Sequence, residues 1–198
     1  MGRQTTVPHL HSELFADQSR KFYRADAFSP VYTGTQASGT RTYISRGSND
    51  YLVINNTART VRRFDATSGL GAFTTLQDFV PDDLHTGSAV NVLVHWATSA
   101  TSASQTALWV VTYNSVASAA ALADATTALG TPLVADTDST TAYAHNISAT
   151  AGTIARDTLT NGYTLDWKVQ LSTLSGLAAT ADLIYFLGLE VRYTRRFA

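Results

Sequence analysis

The amino-acid sequence predicts an all-β domain of the sandwich or barrel kind, and three observations carry that prediction. From Thr42 onward, short runs alternate apolar and polar residues with period two, and turn residues recur every 8–15 positions. Thirty threonines, with abundant serine and alanine, replace charge, which stands at 15% of residues against a typical ~25%. Threonine is β-branched and fits a pleated, half-buried surface. Apolar residues at 44% and aromatics at 10% supply enough burial to order a chain of 198 residues around one core.

The elements follow in order. Residues 1–38 read differently from the rest. Leu14, Phe15, Phe22 and Phe28 lie among Arg20, Lys21 and Arg24, and Ser12 is placed to cap a short helix from about Glu13 to Arg24. The Gly/Ser/Thr segment 33–39 reads as a loop or linker. The expected division is therefore an N-terminal arm, extended or partly helical, over 1–38 and a β domain over 39–198.

Strands are predicted at 42–45 and 51–54 around the turn Arg46-Gly47-Ser48-Asn49-Asp50, then at 58–64 and 71–79. The runs 89–96 (AVNVLVHW) and 106–113 (TALWVVTY) are the most apolar of the middle region. Further strands are predicted at 132–135, 140–148, 163–171 and 183–194, the third preceded by the tight-turn pair Asn161-Gly162. Residues 116–129 are alanine-rich without an apolar stripe, so a short helix and an ordered loop are both open. Trp96, Trp109 and Trp167 lie inside apolar strand patterns and are expected in the core. No repeat of fixed period is visible.

The absence of cysteine excludes disulfides, thiolate metal sites and cysteine nucleophiles. There is no Gly-x-Ser-x-Gly elbow, dinucleotide fingerprint or phosphate-cradling loop. Glu13 and Glu190 are the only glutamates and do not pair by position. Asp136 and Asp138 alternate as calcium ligands do, but glycine and a distal glutamate are missing, so an Asx-type turn competes with calcium. His9 and His11, two apart near the start of the chain, read as surface scatter. His95, beside Trp96 in an apolar strand, is the histidine closest to a catalytic setting; a strand histidine with a satisfied ring nitrogen is the plainer reading. Tyr32, Tyr43, Tyr51 and Tyr143 are the tyrosines open to a sugar-binding role. The expectation is no catalytic site, no metal and no cofactor.

The start of the chain has no apolar h-region of a secretory signal, and its Gly2/Thr6 match to a myristoylation pattern reads as accidental. No apolar run approaches the ~20 residues of a membrane span, so a soluble protein of the cytoplasm is expected until it assembles. The formal charge of −1 conceals a strong asymmetry: residues 1–63 carry +5, residues 64–190 carry −9 and residues 191–198 carry +3. The bases cluster near the ends, in Arg59-Thr60-Val61-Arg62-Arg63 and Arg192 to Arg196, without aromatics interleaved along the domain. Nucleic acid is therefore not the expected partner.

From Asn49 to Thr194 the sequence resembles tailed-bacteriophage virion proteins built on a jelly-roll β-sandwich. The resemblance lies in the order of parts: Pro81-Asp82-Asp83-Leu84-His85-Thr86-Gly87-Ser88 before a strand ending in His95-Trp96, a polar loop, Leu108-Trp109-Val110-Val111-Thr112-Tyr113, a small-residue insertion, and the closing run from Asp182 to Tyr193. It implies a jelly-roll-like antiparallel sandwich, commonly trimeric, serving as a head decoration (cement) protein, a head fibre or a tail-fibre module. The arm over 1–38 would attach the domain to the virion. If the first and last strands of a jelly roll lie together, Arg41, Arg46, Arg59, Arg62, Arg63, Arg192, Arg195 and Arg196 would share one basic end suited to an acidic capsid surface.

The function expected on this reading is a non-catalytic virion protein that decorates and stabilises a phage head. Its partners would be copies of itself, as a homotrimer, and the major capsid protein or another virion protein, with no membrane. The residues expected to carry the contact are Arg20, Lys21, Phe22, Arg24, Arg59, Arg62, Arg63, Arg192, Arg195 and Arg196. The alternative is a receptor- or carbohydrate-binding module of a tail fibre or spike, using the loops at 97–105 and 116–141.

Overall fold

The computed structural model describes residues 18–29, 31, 51–54, 57–65, 72–99, 106–120, 127–129, 133–137, 141–148, 152–175 and 183–196. Its strands are β1 (Gln18–Arg24), β2 (Tyr51–Ile54), β3 (Thr57–Thr60), β4 (Arg62–Asp65), β5 (Phe73–Phe79), β6 (Val90–Thr98), β7 (Thr106–Val116), β8 (Thr127–Ala128), β9 (Leu133–Thr137), β10 (Asn146–Ile147), β11 (Gly152–Ile154), β12 (Thr164–Ser175) and β13 (Leu183–Thr194). A single 3-10 turn, Ala25–Ala27, is the helical element among the described residues.

Two antiparallel sheets form the sandwich. In sheet A the order is β1-β13-β6-β10, with β4 also on β13 and β11 also on β6. β13 carries β6 on one side; on the other, β4 pairs with Leu183 to Phe186 and β1 with Gly188 to Thr194. β10 and β11 likewise share the far side of β6. In sheet B the order is β5-β12-β7-β8, with β9 also on β7. Each sheet thus has four lanes, β1 and β4 sharing one and β10 and β11 another, and from lane to lane the chain alternates between the sheets except from β7 to the lane of β8 and β9. This is the lane order of a jelly roll, two interlocked Greek keys. β2 and β3 form a separate hairpin.

Period-two alternation explains the core. β6 turns Val90, Val92, Val94, Trp96 and Thr98 inward, β7 turns Ala107, Trp109, Val111 and Tyr113, and β12 turns Leu165, Trp167, Val169 and Leu171. A register shift between Phe186 and Gly188 divides β13, so Ile184 and Phe186 face inward before it and Leu189, Val191 and Tyr193 after it. The three tryptophans are fully buried, as expected, and aromatic rings stitch the layers. Phe28 meets Phe186 edge-on at 4.9 Å, and Phe64 meets Trp109 at 5.3 Å.

The expected helix from Glu13 to Arg24 is not what forms over its described part: residues 18–24 are strand β1. Ser19, Lys21 and Tyr23 face inward and Gln18, Arg20, Phe22 and Arg24 outward, a period-two pattern that overrides the weak helical spacing. Pairing along β13 satisfies the backbone at the same time. The sandwich therefore takes in residues that the division at 38/39 assigned to an arm. The predicted strand at 140–148 shortens to β10, preceded by turn at Thr141–Tyr143. The short strand β11 had no counterpart in the sequence reading. Residues 42–45 and 121–126 lie outside the described residues; the described parts of 116–129 are the end of β7, a turn at 118–119 and β8, none of them helical.

Candidate functional site

β1 is the element from which the site is built, because its two faces do different work. Inward, the Tyr23 hydroxyl donates to Asp78 Oδ2 at 2.5 Å, and the Lys21 ammonium forms an ion pair with the same oxygen. Asp78 belongs to β5, so this contact ties the edge of sheet A to the edge of sheet B. Burial alone would raise the Asp78 carboxyl. Hydrogen bonds from Lys21, Tyr23 and the Phe79 backbone, with the Lys21 charge, outweigh burial and hold it below the ordinary carboxylate range. Burial first, then the bond to Asp78, pushes the Tyr23 hydroxyl upward. The same seam continues through Ser29, whose carbonyl accepts from Thr74 Oγ1 at 2.5 Å.

Outward, β1 presents Arg20, Phe22 and Arg24 in one row. Phe22 is 47% exposed, and the Arg20 and Arg24 side chains are 70% and 66% exposed. The Phe22 ring lies across Gly188 on β13, where a Cβ would stand 2.6 Å from it, and reaches His95 on β6 edge-on at 4.9 Å. The absence of a side chain at 188 is what lets the ring span a lane of the sheet.

Beneath this row is a polar network. Glu190 accepts from Arg192 Nε at 2.7 Å and Nη2 at 3.2 Å and contacts His95 Nε2 at 2.9 Å, with Arg20 Nε at 3.8 Å. The Arg192 hydrogen bonds, opposed by burial and aided by His95, bring the Glu190 carboxyl down to about 2. The other His95 nitrogen, Nδ1, meets His145 Nε2 at 2.8 Å. His95 thus has both ring nitrogens engaged and, like Glu190, is 7% exposed although it faces outward.

The remaining expected residues separate. Arg62 is buried, its guanidinium donating to the carbonyls of Phe28 (Nη2, 2.5 Å) and Ser29 (Nε, 3.0 Å), so it holds the chain after β1 in place. Arg63 is half-buried opposite Tyr185. Arg59 lies on β3 opposite Leu52. Arg195 Nε binds Asp83 Oδ2 at 2.7 Å, and Arg196 is exposed, its backbone N–H on the Asp83 carbonyl.

Among the described residues the expected single basic end does not form. Arg62 and Arg63 pair with Phe186 and Tyr185 near the start of β13, whereas Arg192 and Arg195 lie at its finish. The two groups stand about 20–30 Å apart at ~3.3 Å per residue. The physical reason is that β4 and β1 lie in tandem along one edge of an extended 12-residue strand. The arginines that come together are Arg20 and Arg192, directly opposite in the ladder, with Arg24 further along.

Asp136 lies on β9 opposite Ala107, and Asp138, His9, His11, Tyr32, Tyr43 and Arg41 lie outside the described residues. Tyr143 is exposed and rests on Tyr185 at 6.0 Å between ring centres. Among the described residues no group of three His, Asp or Glu side chains is placed to hold a metal. No described helix is long and apolar enough to cross a membrane. The network of His95, His145, Glu190 and Arg192 escaped sequence reading. Its signal was parity alone: His95 is out of phase with Val94 and Trp96 in β6.

Fold and site together define a jelly-roll β-sandwich carrying an arginine-flanked phenylalanine over a buried histidine–glutamate network on one sheet face. No family model matches the sequence, and no curated protein matches it. Among solved structures, the chain is similar to one titled as infectious bursal disease virus, Gt strain: TM-score 0.34, 11% identity, over 83% of this chain and 39% of that one. The Gx strain of the same virus gives a TM-score of 0.29 at 12% identity, over 73% of this chain and 35% of that one. The chain spans less than two fifths of the length of either.

Proposed function

We propose that this protein is a non-catalytic structural component of a virion, a decoration (cement) protein of a bacteriophage head, assembling as a homotrimer and seating on the major capsid protein. The observation that carries the reading is the outward row of β1. A half-exposed Phe22, fixed over Gly188, is flanked by Arg20 and Arg24 with Arg192 beside them. Aromatic and arginine side chains that are already positioned are the usual anchors of protein interfaces, because they bury large area with little ordering cost. Arginine suits an acidic surface through bidentate contacts to carboxylates. The jelly-roll order and the low charge of the chain agree with the resemblance in sequence to phage virion proteins. Residues 1–17 supply a second, arm-like attachment in this reading. Arg62 does not take part, being occupied by the Phe28 and Ser29 carbonyls, while Arg196 and Arg63 lie outside the row.

The test is rebinding of purified protein to heads that lack it, measured by co-sedimentation. Phe22→Ala and Arg20→Ala/Arg24→Ala are expected to lower occupancy at least tenfold while circular dichroism keeps the β spectrum. Removal of residues 1–17 is expected to weaken attachment further. Unchanged occupancy in the Phe22 and arginine variants overturns the assignment of this face. Specific glycan capture without head binding would move the protein to the receptor-binding class.

A further inference from the structure

The outer face of sheet A continues beyond the β1 row. Ile147 on β10 lies directly opposite His95, the residue that the Phe22 ring reaches from the other side. Tyr143, just before β10, rests on Tyr185 of β13 at 6.0 Å between ring centres. Both belong to the outward side, because His95 stands between the inward Val94 and Trp96, and Tyr185 between the inward Ile184 and Phe186. Tyr143 and Ile147 are each 39% exposed. This one face therefore holds Phe22, Tyr143 and Ile147, three of the four large apolar side chains exposed among the described residues. Tyr143 also holds φ at 61°, the left-handed region that a bulky side chain rarely adopts. Its ring fills no place in the core, so the strained backbone holds an aromatic side chain at the surface.

The fourth exposed apolar side chain, Phe79, ends β5 on the outer face of sheet B. That face is otherwise polar and engaged within itself. Gln77 Nε2 donates to Asp166 Oδ1 at 2.9 Å, and Lys168 Nζ lies over the Phe73 ring at 4.5 Å. Asp166 and Lys168, two apart on β12, offset each other's charge. On sheet A the accessible charge is mostly positive. Arg20, Arg24 and Arg192 stand beside two carboxylates, Glu190, which is buried and taken by Arg192, and Asp26, which engages Arg24 at 3.4 Å. Area separates a narrow contact from a broad one. β1 alone, seven residues in one lane, offers on the order of 100 Å² in plan, far below the ~800 Å² that a standard interface takes from each partner. The four lanes of sheet A along the 12 residues of β13 offer roughly 700 Å². A second copy laid face to face would set arginines against arginines, so the occupant is a different protein.

We propose that the docking surface is the whole outer face of sheet A, with a second anchor made of Tyr143 and Ile147 three lanes from Phe22, about 14 Å away. Its occupant is one acidic protein surface that lays carboxylates along β1 and an apolar patch over β10. The inference rests on the reading of β1 as the contact with the capsid and extends that contact to the opposite edge of the sheet. Sheet B then faces away from the partner.

The experiment is co-sedimentation with heads that lack the protein, using the full chain carrying Ile147→Asp or Tyr143→Asn, with Phe79→Asp as the control on sheet B. Thermal melts and sedimentation velocity are recorded on each free protein. Ile147→Asp and Tyr143→Asn are each expected to lower occupancy about fivefold or more, and Phe79→Asp to leave it unchanged. Asparagine tolerates the left-handed backbone, so Tyr143→Asn is expected to melt no lower than the unaltered protein while it binds less. A ring that served only the fold would do the reverse, lowering the melt and sparing occupancy. Full occupancy in both variants, with loss in Phe22→Ala, confines the contact to β1 and overturns the proposal while the capsid reading stands. An unaltered protein that does not bind heads overturns both. A changed sedimentation coefficient of free Ile147→Asp with full head binding assigns the face to contacts between copies, which also overturns it. If Ile147→Asp does not fold, Tyr143→Asn decides.

Discussion

A methyl group at position 188 has no room: it would stand 2.5 Å from the Tyr23 carbonyl oxygen and 2.6 Å from the Phe22 ring. The ring can swing away, but the carbonyl belongs to the β1–β13 ladder and cannot. Gly188→Ala is therefore expected to cost about 2 kcal/mol in urea unfolding. Adding Phe22→Ala should recover only part of that loss, because it clears one of the two clashes. Glu190 makes a second residue-scale case. Its folded carboxyl titrates near 2 instead of 4.5, so its stabilisation is complete above about pH 4.5 and is lost as pH falls toward 2. Glu190→Gln is expected to lower stability by about 2 kcal/mol at pH 7 and to flatten the profile between pH 4.5 and 2.5. Denaturant midpoints at pH 7, 4 and 2.5 measure both.

At the scale of elements, β1 is where the sandwich is closed along one side. Its inward row meets β5 through Asp78, and the chain that follows it is held by Arg62 and Thr74. Tyr23→Phe removes one donor and leaves Lys21 on the carboxylate, so a loss of about 1 kcal/mol is expected. Asp78→Ala strands both the ammonium and the hydroxyl and is expected to cost about 3 kcal/mol. The ordering of these two variants in thermal melts is the check, and equal effects would mean that Lys21 contributes nothing. Asp78 is also held below the ordinary carboxylate range. Its contribution is therefore present above the unfolded carboxyl value and fades as pH falls through the folded one.

For the whole molecule, deleting residues 1–31 is the informative truncation. It takes away β1, the buried Phe28 ring and the carbonyls that Arg62 caps. The expected loss is roughly 5 kcal/mol or more, comparable with the entire stability of a domain this size. Loss of the cooperative transition in circular dichroism is the readout. A folded, cooperative product would restore residues 18–31 to an arm. The prediction reverses what the helix-and-linker reading of 1–38 implies, and it does so because the last strand offers an edge that β1 fills.

Period-two alternation in 89–96, 106–113, 163–171 and 183–194 determined the four central lanes, and the apolar phase within them placed Trp96, Trp109 and Trp167 in the core. Those properties are local: a strand's two faces are set by parity along its own sequence. Tertiary structure alone decided which strands became neighbours. It put Gln18–Arg24 on β13 and split the arginines between the two ends of that strand. It also brought His95, His145 and Glu190 together from positions 50 and 95 residues apart. Register and lane order come from closing two sheets around one core, and no single stretch of sequence carries that condition.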